Sequence, residues 1–109
     1  MYIYNVTILI EREAEEAWLR WMQQTHIPEM LATQKFTDAR MHKVISSFEA
    51  SEHPSYAVQY TAKTYEDIQT YYAQHAARLR DAAFAAFGDK FIAIRTELES
   101  VFEMKNTLK

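Results

Sequence analysis

The sequence predicts an α+β fold in which four antiparallel strands carry two helices on one face. Three observations point to it. Hydrophobic spacing switches between two and about 3.6 residues in the order strand, helix, strand, strand, helix, strand. The only glycine, Gly88, falls at the end of the second helical stretch. No Gly- or Pro-rich linker, repeat or low-complexity segment divides the chain, and 109 residues suffice for one hydrophobic core but not two. We therefore expect one domain over residues 1–104 and a frayed tail over 105–109.

Tyr2 to Ile10 is β-branched and aromatic almost throughout, which predicts a strand. Strand side chains alternate, so Tyr2, Tyr4, Val6, Ile8 and Ile10 fall on one face and Ile3, Asn5, Thr7 and Leu9 on the other. Neither face is suited to solvent, so this strand is expected to be central and covered on both sides. Ala14, Ala17, Trp18, Trp21 and Met22 then form an amphipathic stripe whose continuation lands on His26. Glu11, Glu13, Glu15 and Glu16 gather where negative charge suits a helix start. Pro28 removes a backbone donor, which predicts a kink or a fresh short helix from Pro28 to Ala32.

Phe36 to Ser47 is expected to be a second, edge strand, and the polar run 49–54 a loop. Tyr56 to Lys63 alternates as a third strand, making a hairpin. Thr64, with an acid three residues on, resembles a capping box. Tyr65, Ile68, Tyr72, His75, Leu79, Ala82 and Ala86 keep helical spacing as far as Phe87, and Gly88 sits where a cap with positive φ belongs. The apolar run Ala82 to Phe87 predicts deep burial. Lys90 to Met104 reads as a long fourth strand. The order β-α-β-β-α-β is the split, ferredoxin-like arrangement. It leaves one sheet face bare, with Ile3, Leu9, Phe91 and Ala57 as candidates to line it, and this predicts a two-fold homodimer through the sheet face.

Composition excludes several classes of function. A net charge of −3 gives no basic stripe for nucleic acid. The absence of cysteine excludes disulfides and thiolate metal sites and makes the cytoplasm the simplest compartment. No signal peptide or apolar run of about 20 residues is seen, so no membrane association is expected. The four histidines offer no paired metal spacing, one glycine cannot build a phosphate loop, and no serine nucleophile with an ordered base is visible. No metal and no cofactor is expected.

The segments Ile3-Tyr4-Asn5-Val6-Thr7, Trp18-x-x-Trp21-Met22, His26-Ile27-Pro28, Leu31-Ala32-Thr33, Val58-Gln59-Tyr60, Arg78-Leu79-Arg80, Phe87-Gly88-Asp89-Lys90 and Arg95-Thr96-Glu97-Leu98 resemble an uncharacterised bacterial family of unknown function, over nearly the whole chain. The resemblance implies a dimeric α+β barrel and supplies no catalytic residues. More distantly, the organisation is similar to the wider dimeric α+β barrel group, which includes cofactor-free monooxygenases, haem-degrading enzymes and ether-degradation accessory proteins. The last group shares a His-x-Pro at the end of the first helix, as in His26-Ile27-Pro28. Haem-degrading members use a first-strand asparagine with a tryptophan and a histidine on the second helix. Asn5 and His75 lie on the comparable elements, whereas Tyr65 stands near the tryptophan's place.

The candidate ligand-binding residues are Asn5, Trp21, His26, Gln59, Tyr72, His75 and Arg95. Asn5, Thr7, Gln59, Thr61, Arg95 and Glu97 are polar positions on otherwise apolar strands, and on a shared face they would give an apolar enclosure its few polar groups. Alternatively, Arg95 and Glu97 pair with each other or with symmetry mates. His26 and His75 are expected inward, as hydrogen-bonded core or as acid, base or ligand. Trp18, Trp21 and Tyr72 either wall a pocket or are plain core. Arg78 and Arg80, two apart, point to different sides, form no single anion clamp and are expected to be surface charges. The leading expectation is a homodimer that binds a small, partly apolar molecule between sheet and helices. The alternatives are a cofactor-independent monooxygenase or isomerase, or a haem-degrading type of enzyme, using His75 or His26 as base and Asn5 to orient, and a structural or interaction module without a ligand.

Overall fold

The structure, a computed structural model, describes residues 1–46 and 52–108. Four strands, β1 (Tyr2–Ile10), β2 (Asp38–Lys43), β3 (Ser55–Ala62) and β4 (Phe91–Glu99), form one sheet in the order β2-β3-β1-β4. Every neighbouring pair is antiparallel. The two long apolar strands, β1 and β3, take the central places because each carries a fully apolar face. On one side of the sheet Tyr4, Ile8, Ile10, Tyr56, Val58, Tyr60 and Ala62 are buried under the helices. The register places Ala39, Met41, Phe91, Ala93, Arg95 and Glu97 on that same side. The other side carries Ile3, Asn5, Thr7 and Leu9 with Thr96, Ile94, Ile92 and Leu98, and is open. Phe91 is therefore under the helices and does not belong to the open face, whereas Ile3, Leu9 and Ala57 do.

Two long helices cover the sheet, and each contains a π-helical turn. A 3₁₀ turn (Arg12–Ala14) leads into α1 (Glu15–Trp21), which passes through a π segment (Met22–His26) into α2 (Ile27–Ala32). Backbone angles stay helical throughout, and Ile27 N–H bonds to Met22 C=O, five residues back. Pro28 thus sits in the first turn of a short α segment, Ile27–Ala32, that continues from the π turn, close to the fresh short helix expected from Pro28 to Ala32. The widened turn just before it makes room for a ring that would otherwise crowd the carbonyl four residues earlier. The second helix runs from α3 (Tyr65–Tyr71) through a π segment (Tyr72–Ala76) to α4 (Ala77–Phe87). Its start is capped as the sequence implies, with Asp67 N–H donating to Thr64 Oγ1 at 3.2 Å. α1 is tied to the sheet by the Tyr56 hydroxyl, which donates to Glu15 Oε2 at 2.6 Å, while Lys43 Nζ lies 3.5 Å from the same oxygen.

Two boundaries and one burial differ from the sequence reading. β2 spans only Asp38–Lys43, because Phe36 turns into the core and stacks on Tyr4 at 6.0 Å. β4 stops at Glu99 and does not continue to Met104. Glu99 pairs with Tyr2, and one more backbone bond, Ser100 N–H to Met1 C=O at 2.9 Å, closes the ladder. Residues 100–108 carry no regular structure, and Val101, Phe102, Met104 and Leu108 are exposed. The end of α4 is not deeply buried in this chain, since Phe84 is exposed. Of the expected β2–β3 loop, 49–51 lie outside the described residues.

Gly88 ends α4 with φ +60° and ψ −129°, and its N–H bonds to Phe84 C=O at 2.7 Å. A Cβ there would meet no atom within 4 Å, so any cost of substitution is conformational. Gly88→Ala is expected to destabilise the fold by about 1–3 kcal/mol, measured by urea unfolding. A neutral result would mean that the α4–β4 turn relaxes to another conformation.

Candidate functional site

Between the sheet and the two helices lies a cavity of about 50 Å³. Its apolar wall includes Trp18, Trp21, Met22, Met30, Phe87 and Phe91, and its polar lining includes His26, Arg80 and Arg95. The first π turn builds one side of it. Residues five apart on an α-helix point about 140° away from each other at 3.6 residues per turn. The wider turn brings Trp21 and His26 onto one side, where their rings stack with centroids 4.8 Å apart and an interplanar angle of 18°. Phe87 from α4 meets Trp21 edge-on at 5.4 Å. Below them an aromatic cluster of Tyr4, Phe36, Tyr60 and Tyr71 fills the centre of the covered face, with centroid separations of 5.1–6.1 Å. The Tyr71 hydroxyl donates to Met30 Sδ at 3.3 Å.

Electrostatics make the polar lining uneven. Burial, and secondarily the nearby Arg95, pushes the His26 pKa down to about 4, so its ring is neutral at pH 7. His26 Nδ1 is buried with no hydrogen-bond partner. Arg80 lies over the Tyr72 ring, 5.7 Å from its centroid. Hydrogen bonding to Tyr4 raises its pKa further above the usual arginine value. Burial, foremost, raises the Tyr60, Tyr71 and Tyr72 hydroxyls, so all three are protonated across the physiological range.

The structure brings together three of the seven residues expected from the sequence: Trp21, His26 and Arg95 all line the cavity. Tyr72 is not among the lining residues; it packs edge-on to Tyr4 at 5.6 Å, with the Arg80 guanidinium over its ring. Asn5 and Gln59 face each other in register on the opposite, open side of the sheet. There Asn5 Nδ2 donates to Thr7 Oγ1 at 3.3 Å and Thr96 Oγ1 at 3.2 Å, and Asn5 Oδ1 is buried and unpartnered. His75 is turned away from the cavity, with Nδ1 3.1 Å from an Arg78 guanidinium nitrogen. The second π turn explains this. Tyr71 and Ala76, five apart, are the buried pair, so the residue at ordinary helical spacing is displaced from the inward position. Arg95 and Glu97 share the covered face with no ion pair between them among the described residues. Glu97 Oε1 instead accepts from Tyr65 Oη at 2.7 Å.

Within one chain, therefore, the sheet separates Asn5 from His26, and His75, beside Arg78, joins neither of them in one site. The cavity volume is also far below that of a haem, so the residues present do not fit that cofactor. No group of three potential metal-ligating side chains occurs among the described residues. The residue missed by the sequence reading is Arg80. It does point away from Arg78, as the two-residue spacing requires, but it points to the cavity. Its adjacency to the buried Leu79 was the only signal.

A sheet ordered β2-β3-β1-β4 under two helices defines a ferredoxin-like α+β protein. Residues 1–101 match the family DUF4286, a domain of unknown function, and the chain belongs to that family. No match is found among curated proteins. Several solved structures share the fold. A dimeric ferredoxin-like protein from an uncultured marine organism is 13% identical, with 97% of this chain and 100% of that chain covered and a TM-score of 0.66. An ethyl tert-butyl ether d (EthD) family protein from Bacillus halodurans c-125 is 14% identical, with 93% and 100% covered and a TM-score of 0.63. A dimeric ferredoxin-like protein of unknown function from Jannaschia sp. CCS1 is 21% identical, with 88% and 98% covered and a TM-score of 0.52.

Proposed function

We propose that this chain forms a homodimeric α+β barrel and binds a small, partly apolar molecule between the sheet and the helices of each protomer. The observation that carries the binding reading is the cavity itself, an apolar enclosure with a few convergent polar groups and one strongly perturbed histidine. A thermal-shift screen of small hydrophobic compounds, with haem and quinols included, tests it. Small compounds are expected to raise the melting temperature, because a ligand selective for the folded state stabilises it. A panel in which no compound shifts the transition would count against the site.

The dimer reading rests on the open sheet face. Ile92, Ile94 and Leu98 on β4 are 58%, 56% and 43% exposed and share this face with Ile3 and Leu9 on β1, apolar surface on either side of the Asn5–Thr96 pair that a second sheet would cover. Two of the solved structures that share the fold are described as dimeric. Asn5 Oδ1, unpartnered on this face, would find a donor across a two-fold interface. Ile94→Lys is expected to halve the mass measured by light scattering at micromolar concentration. A monomeric wild-type chain, or an unchanged mass in the variant, would rule out this interface. No helix among the described residues is long and apolar enough to cross a membrane. With no cysteine to call for an oxidising compartment, we place the protein in the cytoplasm.

A further inference from the structure

We infer that the ligand of this cavity is a small apolar monocarboxylate, with its carboxylate held between Arg80 and Arg95 and its apolar body against Trp21 and Phe87. The inference rests on the reading of the cavity as a binding site and specifies the chemistry of its occupant.

The chain carries a net charge of −3, yet the charged side chains lining its cavity are both cationic. Arg80 comes from α4 and Arg95 from β4, so two different layers of the fold direct guanidinium groups to one place. Neither has a carboxylate partner among the described residues, where the ion pairs are Arg20–Glu16 and Lys43–Glu15. The nearest candidate on the same sheet face is Glu97, two residues from Arg95. Its carboxylate is engaged by the Tyr65 hydroxyl at 2.7 Å and by the Tyr72 hydroxyl. Two like charges directed to one place repel each other even where they reach solvent, and an anion between them removes that repulsion. Guanidinium groups match a carboxylate in a planar, two-point fashion that an ammonium cannot reproduce.

The remaining lining limits what that anion can be. His26 is neutral there and offers a hydrogen bond rather than a charge. The other lining groups are mostly apolar or aromatic, so a second charge on the ligand would be buried without a partner. The volume of about 50 Å³ equals only a few water-sized spheres. This favours a short branched or single-ring body over a long chain or a polycyclic one.

The test uses full-length protein and two matched pairs, 3-methylbutanoate with its primary amide and benzoate with benzamide, by calorimetry and thermal shift. Wild type is expected to bind at least one acid ten-fold or more tightly than the amide of the same shape. Arg95→Gln and Arg80→Gln are each expected to lose that preference, while Arg95→Lys retains part of it. Both arginines are exposed, and the unliganded melting temperatures of the variants verify that they fold. Amides that bind as well as the acids would overturn the carboxylate assignment and leave the cavity reading standing. Binding of neither acids nor amides would overturn both. An acid preference that survives Arg80→Gln and Arg95→Gln would place the anion elsewhere and overturn the assignment to this pair.

Discussion

Replacing Tyr4 by alanine is expected to cost about 3–5 kcal/mol of stability, the range for deleting a large buried aromatic side chain. Tyr4 is 1% exposed and sits mid-strand on β1, opposite Tyr60 on one side and Glu97 on the other. Its ring lies 5.4–6.1 Å from those of Phe36, Tyr60, Tyr71 and Tyr72, contributed by the β2 approach, β3 and the second helix. One truncation removes a shared partner from four rings, and each such pair contributes about 0.5–1.5 kcal/mol beyond its buried area. Urea unfolding should show a lower midpoint with an unchanged slope, the signature of lost stability without a changed unfolded state. A loss below about 1 kcal/mol would mean that the neighbouring rings close the hole. Tyr4→Phe keeps the ring and removes only the hydroxyl that supports Arg80, so its smaller cost separates packing from polar contact.

Acidification should unmask His26. In the unfolded chain a histidine titrates near 6.5, whereas in the fold this ring holds no proton until about pH 4. Between those values the unfolded chain binds a proton that the folded chain refuses. Stability therefore rises with pH through this window, is fully present above about 6.5 and is lost as the pH falls towards 4. The full shift corresponds to roughly 3 kcal/mol at 1.36 kcal/mol per unit. Unfolding free energies of wild type and His26→Gln, compared at pH 7 and pH 4.5, isolate this contribution from the carboxylates common to both. The wild type is expected to lose roughly 2–3 kcal/mol more than the variant over that interval. Parallel pH profiles would show that the ring is protonated within the fold.

Much of the scaffold was legible because it depends on local pattern. The alternation of β1 and β3, the Thr64 cap and the Gly88 stop are each written in a few adjacent residues. What depends on pairing was not. Whether Arg95 shares a face with Asn5 or with Tyr4 turns on the parity with which β4 meets β1, and a shift of one residue exchanges the faces. The register sets Asn5 against Thr96 and Val6 against Arg95, which moves Arg95 under the helices and leaves Asn5 and Gln59 on the far side. The length of β4 is unreadable for a related reason, since Val101 and Phe102 continue a strand-like sequence beyond the last paired residue, Glu99. On the helices the sequence was read at one uniform period. A uniform period puts both His26 and His75 inward, whereas the π turns keep His26 at the cavity and turn His75 away from it.

Those two turns bear on how the chain tolerates changes in length. A π turn is an α turn holding one residue more than it needs. Removing a single residue from either turn would tighten it to an ordinary helix while leaving the β1–β3 and β1–β4 registers as they stand. Gaps of one residue in the middle of either helix are therefore compatible with an unaltered sheet. They would rotate one flank against the other, taking apart the Trp21–His26 stack in the first helix or the Tyr71–Ala76 facing in the second. Helix length in this fold is thus a means of changing the cavity wall without disturbing the strands beneath it.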